Sequence, residues 1–116
     1  MSQPAAPFPV GAARRADPGL SEEEMDAVAA RAANDGFCAL GLRFSADRNS
    51  PRERFETIAA RLGDAFEVIE LDSSPGNPGG FSRSAHSVLT SEVRETPGHP
   101  ALKARTRVVE FLRERL

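Results

Sequence analysis

Residues 37–44, Phe-Cys-Ala-Leu-Gly-Leu-Arg-Phe, form an apolar run with almost no alternation. A strand with one wet face reads apolar-polar-apolar, whereas a near-continuous run fits a strand covered on both faces, as in a parallel sheet. Parallel strands need a crossover between them, usually a helix, and the flanking sequence supplies helix signals on both sides. Upstream, Ser21-Glu22-Glu23-Glu24 reads as a capping box with Ser21 as N-cap. Met25, Val28, Ala29 and Ala32 then fall on one stripe, and Gly36 suits the left-handed position past the helix end. Downstream, a short loop of residues 45–49 leads to Ser50-Pro51-Arg52-Glu53, a second start signal with Ser50 as the expected N-cap, Pro51 at the first helical position and Glu53 closing a second capping box. Phe55, Ile58, Ala59 and Leu62 give its stripe, and Gly63 ends it.

Phe66-Glu67-Val68-Ile69-Glu70-Leu71 predicts a second strand. A Pro- and Gly-rich loop follows over 72–81. A last helix is expected from Pro100 to Leu116, with Leu102, Val108, Val109, Leu112 and Leu116 mostly on one side. Arg43, the one charge in the first apolar run, is expected where that strand leaves the core. The order helix–strand–helix–strand–helix predicts an α/β unit with two parallel strands and a right-handed crossover. Residues 1–18 hold Pro4, Pro7, Pro9 and Pro18 among small residues and are expected to be a disordered tail or linker. The folded part would then be residues 19–116.

Composition narrows the function classes. A net charge of −2 argues against a general nucleic-acid binder, which would carry a basic face. No apolar run approaches the roughly 20 residues of a membrane span. Arg14-Arg15 is followed by Ala-Asp-Pro-Gly, not by the apolar stretch of an export signal. Cys38 is the only cysteine, so no internal disulfide can form, and a reducing, cytoplasmic setting is expected. Its place early in the first apolar run suggests a buried, inert thiol. His86, His99, Cys38 and the scattered acids lack metal-ligand spacing, and neither a metal nor a cofactor is expected.

Two residues stand out for chemistry. In an open parallel sheet, active groups gather beyond the carboxyl ends of the strands. Asp47 lies just past the first strand and His86 in the loop beyond the second. A neutral imidazole can take a proton from a nucleophile, and a buried carboxylate can fix its tautomer and stabilise the imidazolium. The same spacing also fits a solvated loop acid and a turn histidine, because acids after strands are common in βα proteins. His99, between Gly98 and Pro100, reads as an exposed capping residue. The loop 72–80 lacks the Lys-Ser/Thr end of a phosphate-binding P-loop and reads as a shaped loop that aims His86.

From Leu40 to Leu116 the chain resembles the C-terminal part of the dienelactone hydrolase family, a branch of the α/β-hydrolases. The resemblance is carried by Gly41-Leu42-Arg43-Phe44-Ser45-Ala46-Asp47, Glu53-Arg54-Phe55 and Leu62-Gly63-Asp64-Ala65-Phe66. It continues through residues 69–78 (Ile-Glu-Leu-Asp-Ser-Ser-Pro-Gly-Asn-Pro), Ala85-His86-Ser87-Val88-Leu89-Thr90 and Pro97-Gly98-His99-Pro100. It implies a partial α/β-hydrolase-like three-layer unit and hydrolysis of a small ester or lactone by a Ser/Cys–His–Asp triad. Asp47 would be the triad acid and His86 the base. The family's nucleophile comes earlier, on a Gly-x-Ser-x-Gly turn, and no serine of this chain sits in that pattern. The chain is thus expected to be a truncated catalyst, inactive alone.

Two other expectations stand beside this one. Two strands leave open edges that invite pairing, so the second expectation is a non-catalytic remnant or interaction module, forming a homo-oligomer or docking on a complementing chain. A small βα domain unrelated to hydrolases is the third. It expects Asp47 and His86 to lie more than ~8 Å apart, beyond the reach a base and its orienting acid require.

Overall fold

The computed structural model describes residues 11–116. Its elements are α1 (Ala12–Ala16), α2 (Glu22–Asn34), β1 (Ala39–Phe44), α3 (Arg52–Leu62), β2 (Phe66–Leu71) and α4 (Pro100–Arg113), with a 3-10 turn at Gly63–Ala65. β1 and β2 pair as a two-stranded parallel sheet, which makes the chain a small α/β unit. The residues divide into two compact units. One comprises the described residues up to Gly41 together with Pro51–Val68, and the other comprises Leu42–Ser50 with Ile69–Leu116.

In the first unit, α2 starts as the sequence predicts. The Ser21 hydroxyl accepts from the Glu24 amide at 3.1 Å, and the Glu24 carboxylate accepts from the Ser21 amide at 2.8 Å. These bonds satisfy two of the donors that every helix start leaves open. Met25 is buried, Val28, Ala29 and Ala32 are half-buried, and Gly36 takes φ +67° past the end. Gly41 is the tight point of β1. A Cβ there would stand 2.7 Å from the Phe55 ring and 2.8 Å from the Phe66 ring. The absence of a side chain is therefore what lets those two aromatics close over the strand.

Several expectations are corrected in this unit. Of the tail expected over 1–18, the first ten residues lie outside the described part, and α1 occupies 12–16. Tertiary bonds hold it. Arg15 grips Glu53 through both carboxylate oxygens at 2.9 and 3.0 Å, and Arg54 donates to the Asp17 carbonyl at 2.6 Å. Glu53 is therefore not the far side of a capping box. Ser50 does not cap α3 either; Pro51 holds the N-cap position with no side-chain bond. Cys38 lies one residue before β1 and is half-buried, its Sγ 3.6 Å from the Gly36 carbonyl.

The second unit carries its own core. Phe44, Leu71, Phe81, Ala85, Val88, Ala101 and Ala104 pack together, with Leu42 and Ile69 against them. The Phe44 and Phe81 rings meet edge-on with centroids 4.7 Å apart. Arg43 does not leave the core. It is buried, pairs with Glu70, and donates to the Ser50 carbonyl at 2.9 Å. A buried guanidinium needs such partners, because leaving it unpaired costs several kcal/mol, on the order of 3–5.

The face of α4 also differs from expectation. Ala101, Ala104 and Phe111 are buried, whereas Val109, Leu112 and Leu116 are exposed. The inward stripe follows the small Ala101 and Ala104, which join the core with Phe81 and Ala85, and Phe111 is covered by the Arg115 guanidinium 3.8 Å from its ring centroid. The helix ends at Arg113, short of Leu116.

Candidate functional site

Both residues singled out for chemistry belong to the second unit. Asp47 follows β1 in a turn closed by its own amide, which donates to the Phe44 carbonyl at 3.1 Å. The turn is fastened by serines. The Ser73 amide donates to the Ser45 hydroxyl, and the Ala46 amide donates to the Ser73 hydroxyl, both at 3.0 Å. Asp47 Oδ1 accepts from the Asn49 amide at 2.9 Å and the Ser50 amide at 3.3 Å. This is an Asx-type turn, in which a carboxylate replaces a backbone acceptor. The other oxygen, Oδ2, is left to point out of the turn.

His86 meets that oxygen. Its Nδ1 stands 2.5 Å from Asp47 Oδ2. The separation of more than ~8 Å that the small βα domain expected is not found. The loop over 72–81 sets the approach. The Asn77 side chain accepts from the Phe81 amide at 2.9 Å and donates to the Phe81 and Ser74 carbonyls at 2.8 and 2.9 Å. Phe81 is thereby seated in the core. Ala85 and Val88 are buried on either side of His86. The imidazole therefore projects from a backbone pinned at two points.

The two members of the pair differ in environment. The Asp47 side chain is 4% exposed and the His86 side chain 54%. A carboxylate that accepts from Nδ1–H leaves Nε2 with its lone pair, the tautomer of a general base. Nε2 has no hydrogen-bond partner among the described residues. Next to the pair lies a cavity of about 400 Å³ lined by Ala46, Asp47, Arg48, Asn49, Arg83 and Ser84. The two arginines are additions that spacing alone did not reveal. Ser84 shares a hydrogen bond with Ser82, their hydroxyl oxygens 3.0 Å apart.

Asp72, at the end of β2, has its carboxyl held below the usual aspartate range by the Ser74 hydroxyl and amide. The amide donates to Asp72 Oδ1 at 2.8 Å, and the bond favours the charged form.

His99 caps α4, as its position between Gly98 and Pro100 suggested, but it is half-buried, not exposed. Its Nδ1 accepts from the Ala101 amide at 3.3 Å, and its Nε2–H donates to the Gly79 carbonyl at 2.9 Å. Its ring stands edge-on to Phe81, centroids 5.4 Å apart. With both nitrogens engaged, this histidine belongs to the framework.

Among the described residues no helix is long and apolar enough to cross a membrane. Comparisons of the chain with protein-family models, with curated proteins and with solved structures return no match.

Proposed function

We propose that the chain is a dienelactone hydrolase-like protein that carries the acid and the base of an ester- or lactone-cleaving triad. The observation that carries this reading is the Asp47–His86 hydrogen bond of 2.5 Å beyond the carboxyl ends of two parallel strands. The α/β unit would correspond to the last two strands of an α/β-hydrolase sheet. Nε2 of His86 would remove the proton from a serine or cysteine nucleophile as that atom bonds to the acyl carbon. The same proton would then pass to the departing alkoxide. Asp47 would hold the imidazole in the Nδ1–H tautomer and stabilise the imidazolium between these steps. No serine of the chain stands in Gly-x-Ser-x-Gly, so we expect no turnover from the chain alone. A cytoplasmic setting is part of the proposal and rests on the single cysteine.

The test is intact-mass analysis after incubation with a fluorophosphonate, beside His86→Ala. No adduct on either protein is the expected result for an acid–base pair without its own nucleophile. One adduct on the wild type that His86→Ala abolishes would overturn the expected inactivity and identify a complete hydrolase. Clear ester turnover that survives His86→Ala would remove the base role altogether.

A second reading is favoured by one observation: among the described residues each strand has a single neighbour, and Val68 on β2 is 42% exposed. Unpaired strand edges recruit other chains. On this reading the chain is an interaction module that self-associates or docks on a complementing chain. Light scattering coupled to size exclusion tests the self-association arm. A monomer at every concentration would exclude it.

A further inference from the structure

The cavity beside Asp47 is lined by two arginines and a single carboxylate. Arg48 and Arg83 make no ion pair or hydrogen bond among the described residues, although both line it. Five of the six other arginines in the same unit pair with carboxylates, Arg113 being the exception. Arg43 pairs with Glu70, Arg94 with Glu92, Arg105 with Glu95, and Arg107 and Arg115 with Glu114. The one carboxylate in the cavity wall is Asp47, and its oxygens are committed. Oδ2 meets His86, and Oδ1 holds the Asn49 and Ser50 amides. It is also 4% exposed, so little of it is open to a guanidinium. The wall adds a hydroxyl, that of Ser84. Its lining therefore sets two arginines and a hydroxyl against one buried carboxylate.

We propose that this cavity is an anion-binding site for a phosphomonoester dianion. Two guanidiniums outweigh the one buried carboxylate of the wall, and each presents paired N–H donors suited to phosphate oxygens. A volume of about 400 Å³ leaves room for the body of the molecule that carries the phosphate. Binding of the anion stands on the cavity alone. Only its use, anchoring an ester substrate beside His86, rests on the hydrolase reading.

The probe is inorganic phosphate at about pH 8, above its second ionisation, followed through amide and arginine Nε shifts in NMR spectra at constant ionic strength. Saturable shifts at Arg48, Arg83 and Ser84 are expected. Arg48→Gln and Arg83→Gln should each weaken binding about tenfold, as expected for loss of one charge-assisted contact. Both arginines are exposed, and unchanged spectra away from the cavity would establish that each variant folds. His86→Asn should leave phosphate affinity within about twofold, which separates this site from the fate of the triad reading. Acetate that binds as tightly as phosphate would overturn the dianion assignment. Phosphate shifts equal to those from chloride, or unchanged by either arginine substitution, would overturn the site itself.

Discussion

Ser45 and Ser73 fasten the two strand ends to each other through reciprocal bonds. The Ser73 amide donates to the Ser45 hydroxyl, and the Ser73 hydroxyl accepts from the Ala46 amide, each at 3.0 Å. Ser73 is fully buried. Removing its hydroxyl leaves the Ala46 amide without an acceptor in a closed site. Ser73→Ala should therefore lower stability by about 1–3 kcal/mol, the cost of a buried donor left unsatisfied. Urea unfolding measures this. A loss below about 0.5 kcal/mol, the range of surface substitutions, would show that water replaces the bond.

Asp47→Ala should act on the fold as well as on the site. It removes the acceptor of the Asn49 and Ser50 amides and the partner of His86 together. Stability should fall by about 1–3 kcal/mol. The His86 ring should also shift from the Nδ1–H tautomer, which long-range nitrogen–proton NMR correlations report directly. His86→Ala, in contrast, removes a half-exposed side chain and should cost less than about 1 kcal/mol. Equal losses for the two variants would contradict the asymmetry in their burial.

The cap on α4 depends on the neutral form of His99, because Nδ1 must accept from the Ala101 amide while Nε2–H donates to Gly79. His99→Ala should cost about 1 kcal/mol, the usual value of an N-cap. His99→Asn restores an acceptor and should recover part of that loss. Thermal unfolding of the two variants together distinguishes the cap from ring packing on Phe81.

Asp72 is predicted to titrate below an ordinary aspartate, held there by Ser74. Its folded value is depressed. The associated stabilisation is therefore present above the unfolded-state value and disappears as pH falls through the lower folded value. Carboxyl carbon shifts followed against pH give the titration directly. Ser74→Ala should move the midpoint upward, and an unmoved midpoint would assign the depression to another group.

Gly41→Ala tests the close approach inside β1. The new methyl would meet the Phe55 and Phe66 rings at 2.7 and 2.8 Å, well inside normal contact. A loss of about 1–3 kcal/mol is expected from overpacking. A neutral effect would mean that the two rings swing aside freely.

What the sequence made legible was mostly local. The Ser21 box, Gly36 and the strand over Phe66–Leu71 depend on neighbours within a turn or on simple apolar patterning, and they stand where that logic puts them. Asp47 and His86 were legible as candidates because residues after parallel strands end up at one end of the sheet. Ser50 misled because the Asp47 carboxylate accepts from the Ser50 amide, the donor that the expected capping box assigned to Glu53. Arg43 misled because its partner Glu70 lies 27 positions away. The face of α4 was misassigned for a related reason. Bulky Leu and Val marked the apolar side, but the core with Phe81 and Ala85 takes the small Ala101 and Ala104. Arg48 and Arg83 were invisible as a pair, since only the folded loops bring them to one cavity.

The divided duty of the Asp47 carboxylate has a consequence for any set of relatives. One oxygen holds its own turn and the other orients His86, so the residue stays under selection for folding after any chemistry has been lost. His86 packs little and holds no framework bond beyond that pair. Sequences that keep the acid but vary at the histidine would be scaffolds, and those in which both vary together would have rebuilt the turn. His86, not Asp47, is the position whose substitution pattern reports on chemistry.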